Sequence, residues 1–273
     1  MNLIHFKTID STNAEALRRL AESQNVRALD QTVIAADGQT AGRGRLKRAF
    51  YSPAQKGIYF TAIFAPENPI DDPARLTACA AVAVCRSLKE FFNVEAKIKW
   101  VNDVYVDGKK VCGILAEGHL GAAGVIDAAA IGIGINIYPS DFPADIAALA
   151  GAVLQAQDCG RADSFGSSNN LGASNNWSQA QEGGDIRLDL ARDVCQKLFD
   201  ILDDGARTQA ALQEYADLSF IIGKQITVIP VIGDERTSYP ATVLGIDKNA
   251  RLLVRLDDKS ERALSCGEIS IRL

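Results

Sequence analysis

The sequence predicts an α+β fold: a mixed, mainly antiparallel sheet with helices packed on it, plus a small C-terminal β unit. Three observations lead there. Short β-branched runs joined by tight turns fill the middle of the chain, with Asp107-Gly108 as the clearest hairpin signal. Two stretches keep a helical apolar period, one after Asp72-Pro73 and one from Ile186. From Gly223 onward short alternating strands follow, with turn signals at Gly233-Asp234, Asp247 to Asn249 and Asp257-Asp258, the pattern of a small barrel or sandwich.

The first helix begins near Asn13, where Thr12 and Glu15 have capping-box spacing and Leu17, Leu20 and Ala21 form an apolar stripe. Gln31 to Ala36 and Ile58 to Phe64 read as strands. The glycine- and arginine-rich segment between them has no helical period and reads as a loop. Asp72 caps and Pro73 opens an alanine-rich helix to about Phe92, apolar nearly all round and therefore buried against the sheet. Ala96 to Val101, Val104 to Val106 and Lys109 to Glu117 form an antiparallel meander, and Val125 to Tyr138 a further long strand after the turn at His119 to Gly124. From about Asp158 to Gly184, Ser, Asn, Gly and Gln dominate, too few apolar residues to order by burial, and we expect a mobile polar insertion. Ile186, Leu190, Val194, Leu198 and Ile201 mark a helix, and a second, about Ala206 to Ala216, follows Gly205. The expected division is a large domain over 1–221, with the insertion at 158–184, and a small one over 222–273.

With 273 residues the chain can bury one substantial core and still build a small second domain. A hydrophobic fraction of 47% and a charged fraction of 23% exclude collagen-like and wholly disordered classes. The net charge of -5 argues against an unspecific grip on nucleic acid. Met1 to Asp10 has no long apolar run and no cleavage site, so we expect neither signal peptide nor membrane anchor, and a cytoplasmic protein. Cys79, Cys85, Cys112, Cys159, Cys195 and Cys266 form no C-x-x-C pair, and the only histidines are His5 and His119. Reduced, packed thiols are expected rather than a zinc site.

Three segments carry candidate chemistry. Gln39 to Ser52 contains Gly42-Arg43-Gly44-Arg45-Leu46-Lys47-Arg48 and ends in Phe50-Tyr51. Its glycines allow close backbone approach, and four cations within six residues suit a polyanion; a solvated basic loop is the alternative. It lacks the Lys-Ser or Lys-Thr of a Walker loop and the third glycine of a dinucleotide fingerprint. Second, Lys99-Trp100-Val101-Asn102-Asp103 is followed by Lys110-Val111-Cys112-Gly113. A hairpin turning at Asp107-Gly108 puts Asp103 and Lys110 on one surface, as a structural or a catalytic ion pair. Third, Gly132-Ile133-Gly134-Ile135-Asn136 bares one sheet face while its isoleucines face the core, leaving room for a flat ligand, with a bulge or a helix packed close against the strand as the alternative.

In this order and spacing the three segments resemble the biotin protein ligase family, whose hallmarks are a G-R-G-R-x-x-R loop, a K-W-x-N-D segment with a following K-x-x-G, and a G-x-G-I-N strand. The resemblance runs from about Ser11 to Tyr138, resumes near Asp189 and takes in Gly223 to Leu273. It implies the class II synthetase-like biotin/lipoate ligase fold with a C-terminal SH3-like barrel. It further implies ATP-dependent conversion of biotin to biotinyl-AMP, with Mg2+ assisting, and transfer to a lysine of a biotin carboxyl carrier domain of acetyl-CoA carboxylase or a related carboxylase. By the same resemblance Ser11, Thr12 and Gln39 hydrogen-bond the ureido ring, with Gly42, Gly113 and Gly132 close by. Arg43 and Lys110 bracket the biotin carboxylate and the α-phosphate. Arg45 and Arg48 are the phosphate-loop arginines, Phe50 stands where the family has a Trp adenine platform, and Asn102 and Asn136 complete the nucleotide side. Asp103 orients or deprotonates the acceptor lysine, so Arg43, Arg45, Lys110 and Asp103 form the catalytic set.

Two departures from the family are plain: Val101 replaces the usual proline, and the polar insertion is longer than typical. Some relatives carry an N-terminal winged-helix domain, whereas here the chain begins about ten residues before Ser11, so we expect a monofunctional form without a DNA-binding domain. Lipoate or octanoate transfer is the nearest alternative, but the run of three glycines with a following His-Asp is missing. A non-catalytic biotin sensor is the other, and it would be expected to lack Asp103, Lys110 or the loop arginines. Neither nucleic acid nor membrane is expected as a partner, and the exposed strands of the meander leave room for a homodimer.

Overall fold

A computed structural model describes residues 1–121, 124–155, 185–230, 238–265 and 268–271. The polar segment 158–184, Cys159, Cys266, Gly267 and the Gly233-Asp234 turn lie outside these described residues.

The chain opens with a strand, β1 (Asn2–Ile9), for which the sequence reading had no element. Its alternation of Leu3, His5 and Lys7 with Ile4, Phe6 and Thr8 has the right period, but it is half polar and lies on a sheet edge, so the signal is weak. Helix α1 (Thr12–Glu22) follows. Its N-cap is Ser11, whose side chain accepts from Ala14 N–H, and not Thr12. The expected capping box does not form, because Glu15 turns outward to Arg18 and Arg19. Thr12 thereby keeps its hydroxyl for the sheet.

Strands β2 (Thr32–Gln39) and β3 (Gly57–Phe64) flank the arginine-rich loop, which makes a tight turn at Arg45–Lys47. Helix α2 (Pro73–Phe92) is capped by Asp72 and ends on Asn93 in the left-handed region. The meander is β4 (Lys97–Lys99), β5 (Asp103–Val106), β6 (Lys109–Leu120) and β7 (Ile126–Asn136). Asp107 and Gly108, both at positive φ (49° and 74°), make the β5–β6 turn, as a two-residue hairpin requires. Helices α3 (Ile186–Leu202) and α4 (Gly205–Asp217) complete this part.

The seven strands order as β1-β2-β3-β7-β6-β5-β4. Only β1 and β2 run parallel, and every other neighbour is antiparallel. The mixed, mainly antiparallel α+β fold expected from sequence is the fold found. At the β4 end Ile98 N–H donates to Leu218 O, and Phe220 N–H donates to Ile98 O. The C-terminal strands β8 (Gln225–Ile229), β9 (Tyr239–Ile246), β10 (Leu252–Arg255), β11 (Glu261–Leu264) and β12 (Glu268–Ile271) form a second, five-stranded antiparallel sheet ordered β11-β10-β9-β8-β12.

The period of two along the strands sorts residues between the faces of the large sheet. Val33 and Ala35, Ile58, Phe60 and Ala62, Cys112 and Ile114, and Ile131, Ile133 and Ile135 all join the core that α2, α3 and α4 cover. The opposite face packs Ile34, Ile63, Ala128 and Ala130 under Ala16 and Leu20 of α1. Beyond the end of α1 that second face carries Thr61, Gly113, Gly132, Gly134 and Asn136, and there a cavity opens. Trp100 ties the two sheets together, its buried indole N–H donating to Ala250 O at 2.9 Å.

Candidate active site

The cavity encloses about 310 Å³ and is lined from all three motif segments. From the site foreseen in sequence it gathers Ser11, Thr12, Gln39, Arg43, Arg45, Arg48, Phe50, Asn102, Asp103, Lys110, Gly113, Gly132 and Asn136. Gly42 is the exception. A Cβ there would collide with Phe50 O and Ser52 Oγ, and Phe50 N–H donates to Gly42 O at 2.9 Å. Its bareness lets the loop fold back on itself rather than admit a ligand. Lys47 also stands apart from the cavity lining, so three of the loop's four cations converge and not all four.

The loop is shaped by its own backbone. Gly44 N–H donates to Arg48 O and Arg48 N–H to Arg45 O, while Arg43 and Ala49 pair as an isolated bridge. Leu46 (φ 53°) and Lys47 (φ 61°) sit in the left-handed region, which costs a non-glycine residue about 1 kcal/mol or more each. Arg45 Nη1 donates to Asn102 Oδ1 at 3.3 Å. Asn102 is held in turn by its Nδ2 on Ile114 O at 3.0 Å, so the loop tip rests on the β4–β5 turn.

A bulge aims the hairpin. In β5–β6 Val104 faces Cys112 while Tyr105 faces Lys110, so β6 has one extra residue between them. Without it Lys110 and Gly113, three apart, would point to opposite faces; with it both reach the cavity. Asp103 lies opposite Gly113 rather than Lys110, and the ion pair is closed by the lysine stem reaching back, with Nζ to Asp103 Oδ1 at 2.7 Å. That oxygen is buried and accepts no aligned hydrogen bond, so the pair is held by charge and keeps acceptor capacity.

The bare strand positions are filled by close neighbours of the protein itself. The Phe50 ring lies over Gly113 and Gly134, where any Cβ would strike it, and Asn13 Oδ1 occupies the space above Gly132. Tyr59 meets Phe50 edge-on at 6.3 Å between centroids. The floor is a polar network. Gln39 Oε1 accepts from Thr12 N–H at 2.8 Å, and its Nε2 donates to Ser52 Oγ at 2.9 Å. The fully buried Thr61 hydroxyl donates to Asn13 Oδ1 at 2.7 Å and lies 2.9 Å from that of Thr12. Asn136 Nδ2 donates to Gly151 O, and Lys110 exchanges backbone hydrogen bonds with Leu149 and Gly151, so the 140–154 segment forms a wall with Phe142, Ile146 and Leu149.

Sequence reasoning missed Asn13, Tyr59, Lys99, Tyr105, Ile269 and this wall. Asn13 had a usable signal, its adjacency to Ser11-Thr12; the wall segment had none, since its apolar residues follow no period. The cavity lining carries five cations (Arg43, Arg45, Arg48, Lys99, Lys110) against one carboxylate, Asp103. Such a surplus at a partly enclosed site selects anions. Cys112 also lines the cavity, but burial pushes its thiol well above the ordinary range, so it is no nucleophile. Cys79, Cys85 and Cys195 are free and buried, as expected for packed thiols.

Apart from Ile269, the residues that build this cavity fall within, or close beside, a stretch with known relatives. Residues 5–136 match the model of the Biotin/lipoate A/B protein ligase family. They form a domain of that family. The chain is 36% identical over 157 residues to the bifunctional ligase/repressor BirA of Bacillus subtilis, covering 57% of this chain and 47% of the relative. It is 39% identical over 130 residues to the biotin--[acetyl-CoA-carboxylase] ligase of Paracoccus denitrificans, covering 47% and 51%. The chain thus spans about half the length of these curated relatives. Among solved structures it resembles the biotin protein ligase from Aquifex aeolicus in complex with biotin and ATP, with a TM-score of 0.71 and 23% identity over 99% of this chain and 98% of that one. That likeness extends the family fold beyond the matched domain through both sheets.

Proposed function

We propose that the protein is an ATP-dependent biotin protein ligase that forms biotinyl-AMP and transfers biotin to a lysine of a carboxyl carrier domain, such as that of acetyl-CoA carboxylase. The observation that carries this reading is the union, in one cavity, of a cationic rim with a hydrogen-bonding floor. A carboxylic acid joined to a nucleotide needs both. The relatives' names support biotin over lipoate, as does the Gly42-Arg43-Gly44-Arg45 loop.

In the first step a biotin carboxylate oxygen attacks the α-phosphorus of ATP, the bond to the bridging oxygen breaks and pyrophosphate leaves. Two anions approach, so the contribution of this chain is charge: Arg43 and Lys110 at the reacting groups, Arg45 and Arg48 along the phosphates. Ser11, Thr12 and Gln39 hold the ureido ring, with Gly113 and Gly132 giving Phe50 and Asn13 the room to pack beside it. Phe50 and Asn136 face the nucleotide. In the second step the acceptor amine attacks the acyl carbon, a C–N bond forms, and AMP leaves. A free lysine has a pKa of about 10.4, and Asp103, with acceptor capacity in hand, takes the proton.

Among the described residues no group of three His, Cys, Asp or Glu side chains is placed to hold a metal ion. A protein-bound metal does not fit these donors, and Mg2+ enters this reading only as the counter-ion that ATP brings, with no step assigned to it. No helix among the described residues is long and apolar enough to cross a membrane, and a cytoplasmic setting remains part of the proposal. So do the domain division at residues 221/222 and the closure of the C-terminal sheet as an SH3-like barrel.

The test is pyrophosphate exchange into ATP with biotin, lipoate and octanoate supplied in turn. Exchange is expected with biotin alone. Exchange with lipoate or octanoate and none with biotin would overturn the reading in favour of the other branch of the family, and binding without exchange in favour of a sensor.

A further inference from the structure

Glu117 lies on β6, on the same sheet face as Gly113 and Leu115, just outside the cavity lining. Its two carboxylate oxygens are divided between two parts of the site. Oε1 accepts from Arg43 Nη2 of the loop at 2.9 Å, and Oε2 accepts from Asn13 Nδ2 of the floor at 2.9 Å. Asn13 has no freedom left: it also donates to Leu115 O at 3.2 Å, accepts from Thr61, and presses its oxygen against the bare Cα of Gly132. Only 4% exposed, it is a fixed anchor. Glu117 joins that anchor to the long, half-exposed side chain of Arg43.

We propose that Glu117 is a positioning residue for this site: by binding Arg43 and Asn13 at once, it holds the loop arginine over the floor before the anionic substrate arrives. The inference rests on the reading of the cavity given under the proposed function. Its physical content is preorganisation, since an arginine already confined gives up less freedom when it meets a carboxylate or phosphate. The charge matters as much as the bond. A carboxylate offers two acceptor oxygens, whereas an amide of the same shape offers one, so Glu117→Gln must break one of the two links.

The experiment uses the full chain with Glu117→Gln, Glu117→Ala, Arg43→Ala and the double Glu117→Ala/Arg43→Ala variant. Biotin-dependent pyrophosphate exchange, hydrogen exchange of the 42–50 amides without substrate, and the thermal midpoint are measured. Glu117→Gln is expected to lower kcat/KM for biotin about tenfold, mostly through KM, at an unchanged midpoint. It is also expected to speed 42–50 amide exchange about threefold or more. Adding Glu117→Ala to Arg43→Ala is expected to cost less than about twofold further, the non-additivity of residues acting as one unit. Losses that multiply, or loop amides that exchange at the wild-type rate in Glu117→Gln, would overturn the proposal. If the alanine variant does not fold, the glutamine variant decides alone. Absence of biotin-dependent exchange in the wild type would sink the ligase reading, while the loop amides would still report on the Glu117 anchor.

Discussion

The two faces of the seven-stranded sheet are built by the same strands under opposite demands. Toward α2, α3 and α4 the alternating positions are Ile, Val, Phe and Ala, nearly all fully buried, and any of them can be exchanged for a similar volume at small cost. Toward the cavity the intervening positions are Thr61, Gly113, Glu117, Gly132, Gly134 and Asn136, each tied to particular neighbours by hydrogen bonds or close packing. One face gains stability from bulk, the other forgoes it to hold polar groups in register. The lesson is that substitutions on the two faces should fail differently, in stability on one and in kinetic constants on the other.

Lys110→Ala is the strongest way to break this division. It deletes the cation that joins Asp103 to the cavity, and pyrophosphate exchange is expected to fall by about three orders of magnitude, with the thermal midpoint within a few degrees of wild type. A large loss of midpoint with retained exchange would show that the pair is structural. On the helix-covered face, Ile131→Ala is expected to cost about 3 kcal/mol in urea unfolding and to leave KM for biotin and ATP unchanged. A raised KM would mean that the two faces are not separable. Gly134→Ala tests the cavity face without touching charge: its methyl must push the Phe50 ring aside, so KM for ATP is expected to rise about tenfold, with little loss of stability. An unaltered KM would remove Phe50 from the nucleotide side.

Much of this was legible in the sequence because it depends on local rules. The Asp72-Pro73 start of α2, the Asp107-Gly108 turn and the Ile-Gly alternation of β7 each declare themselves within a few residues. What was not legible depends on partners far along the chain. The β6 bulge that turns Lys110 toward Gly113 has no residue signature, Asn13 is held by Thr61, Leu115 and Glu117, the last of them 104 positions away, and the space over the glycines, which suits a flat ligand or a close neighbour equally, holds Phe50 and Asn13. A bare strand announces that something lies close; it does not say what.

The smallest expected effect concerns how the cavity face is fastened at its edge. Asp10 precedes the Ser11 cap, accepts from Ser11 N–H and pairs through both oxygens with Arg18. The Arg18 hydrogen bonds hold its carboxyl at about 2, below the ordinary 3.8. A carboxyl depressed by folding contributes fully above its unfolded value and loses that contribution as pH falls through the folded one. The pair is about half exposed, so solvent screening limits it to about 1 kcal/mol or less. Asp10→Asn should therefore lower the unfolding midpoint slightly at pH 7, with the gap to wild type closing between about pH 4 and pH 2, whereas Ile131→Ala, lacking any titrating group, should keep its gap throughout. A gap for Asp10→Asn that does not close on acidification would mean that shape, and not charge, fixes this edge of the site.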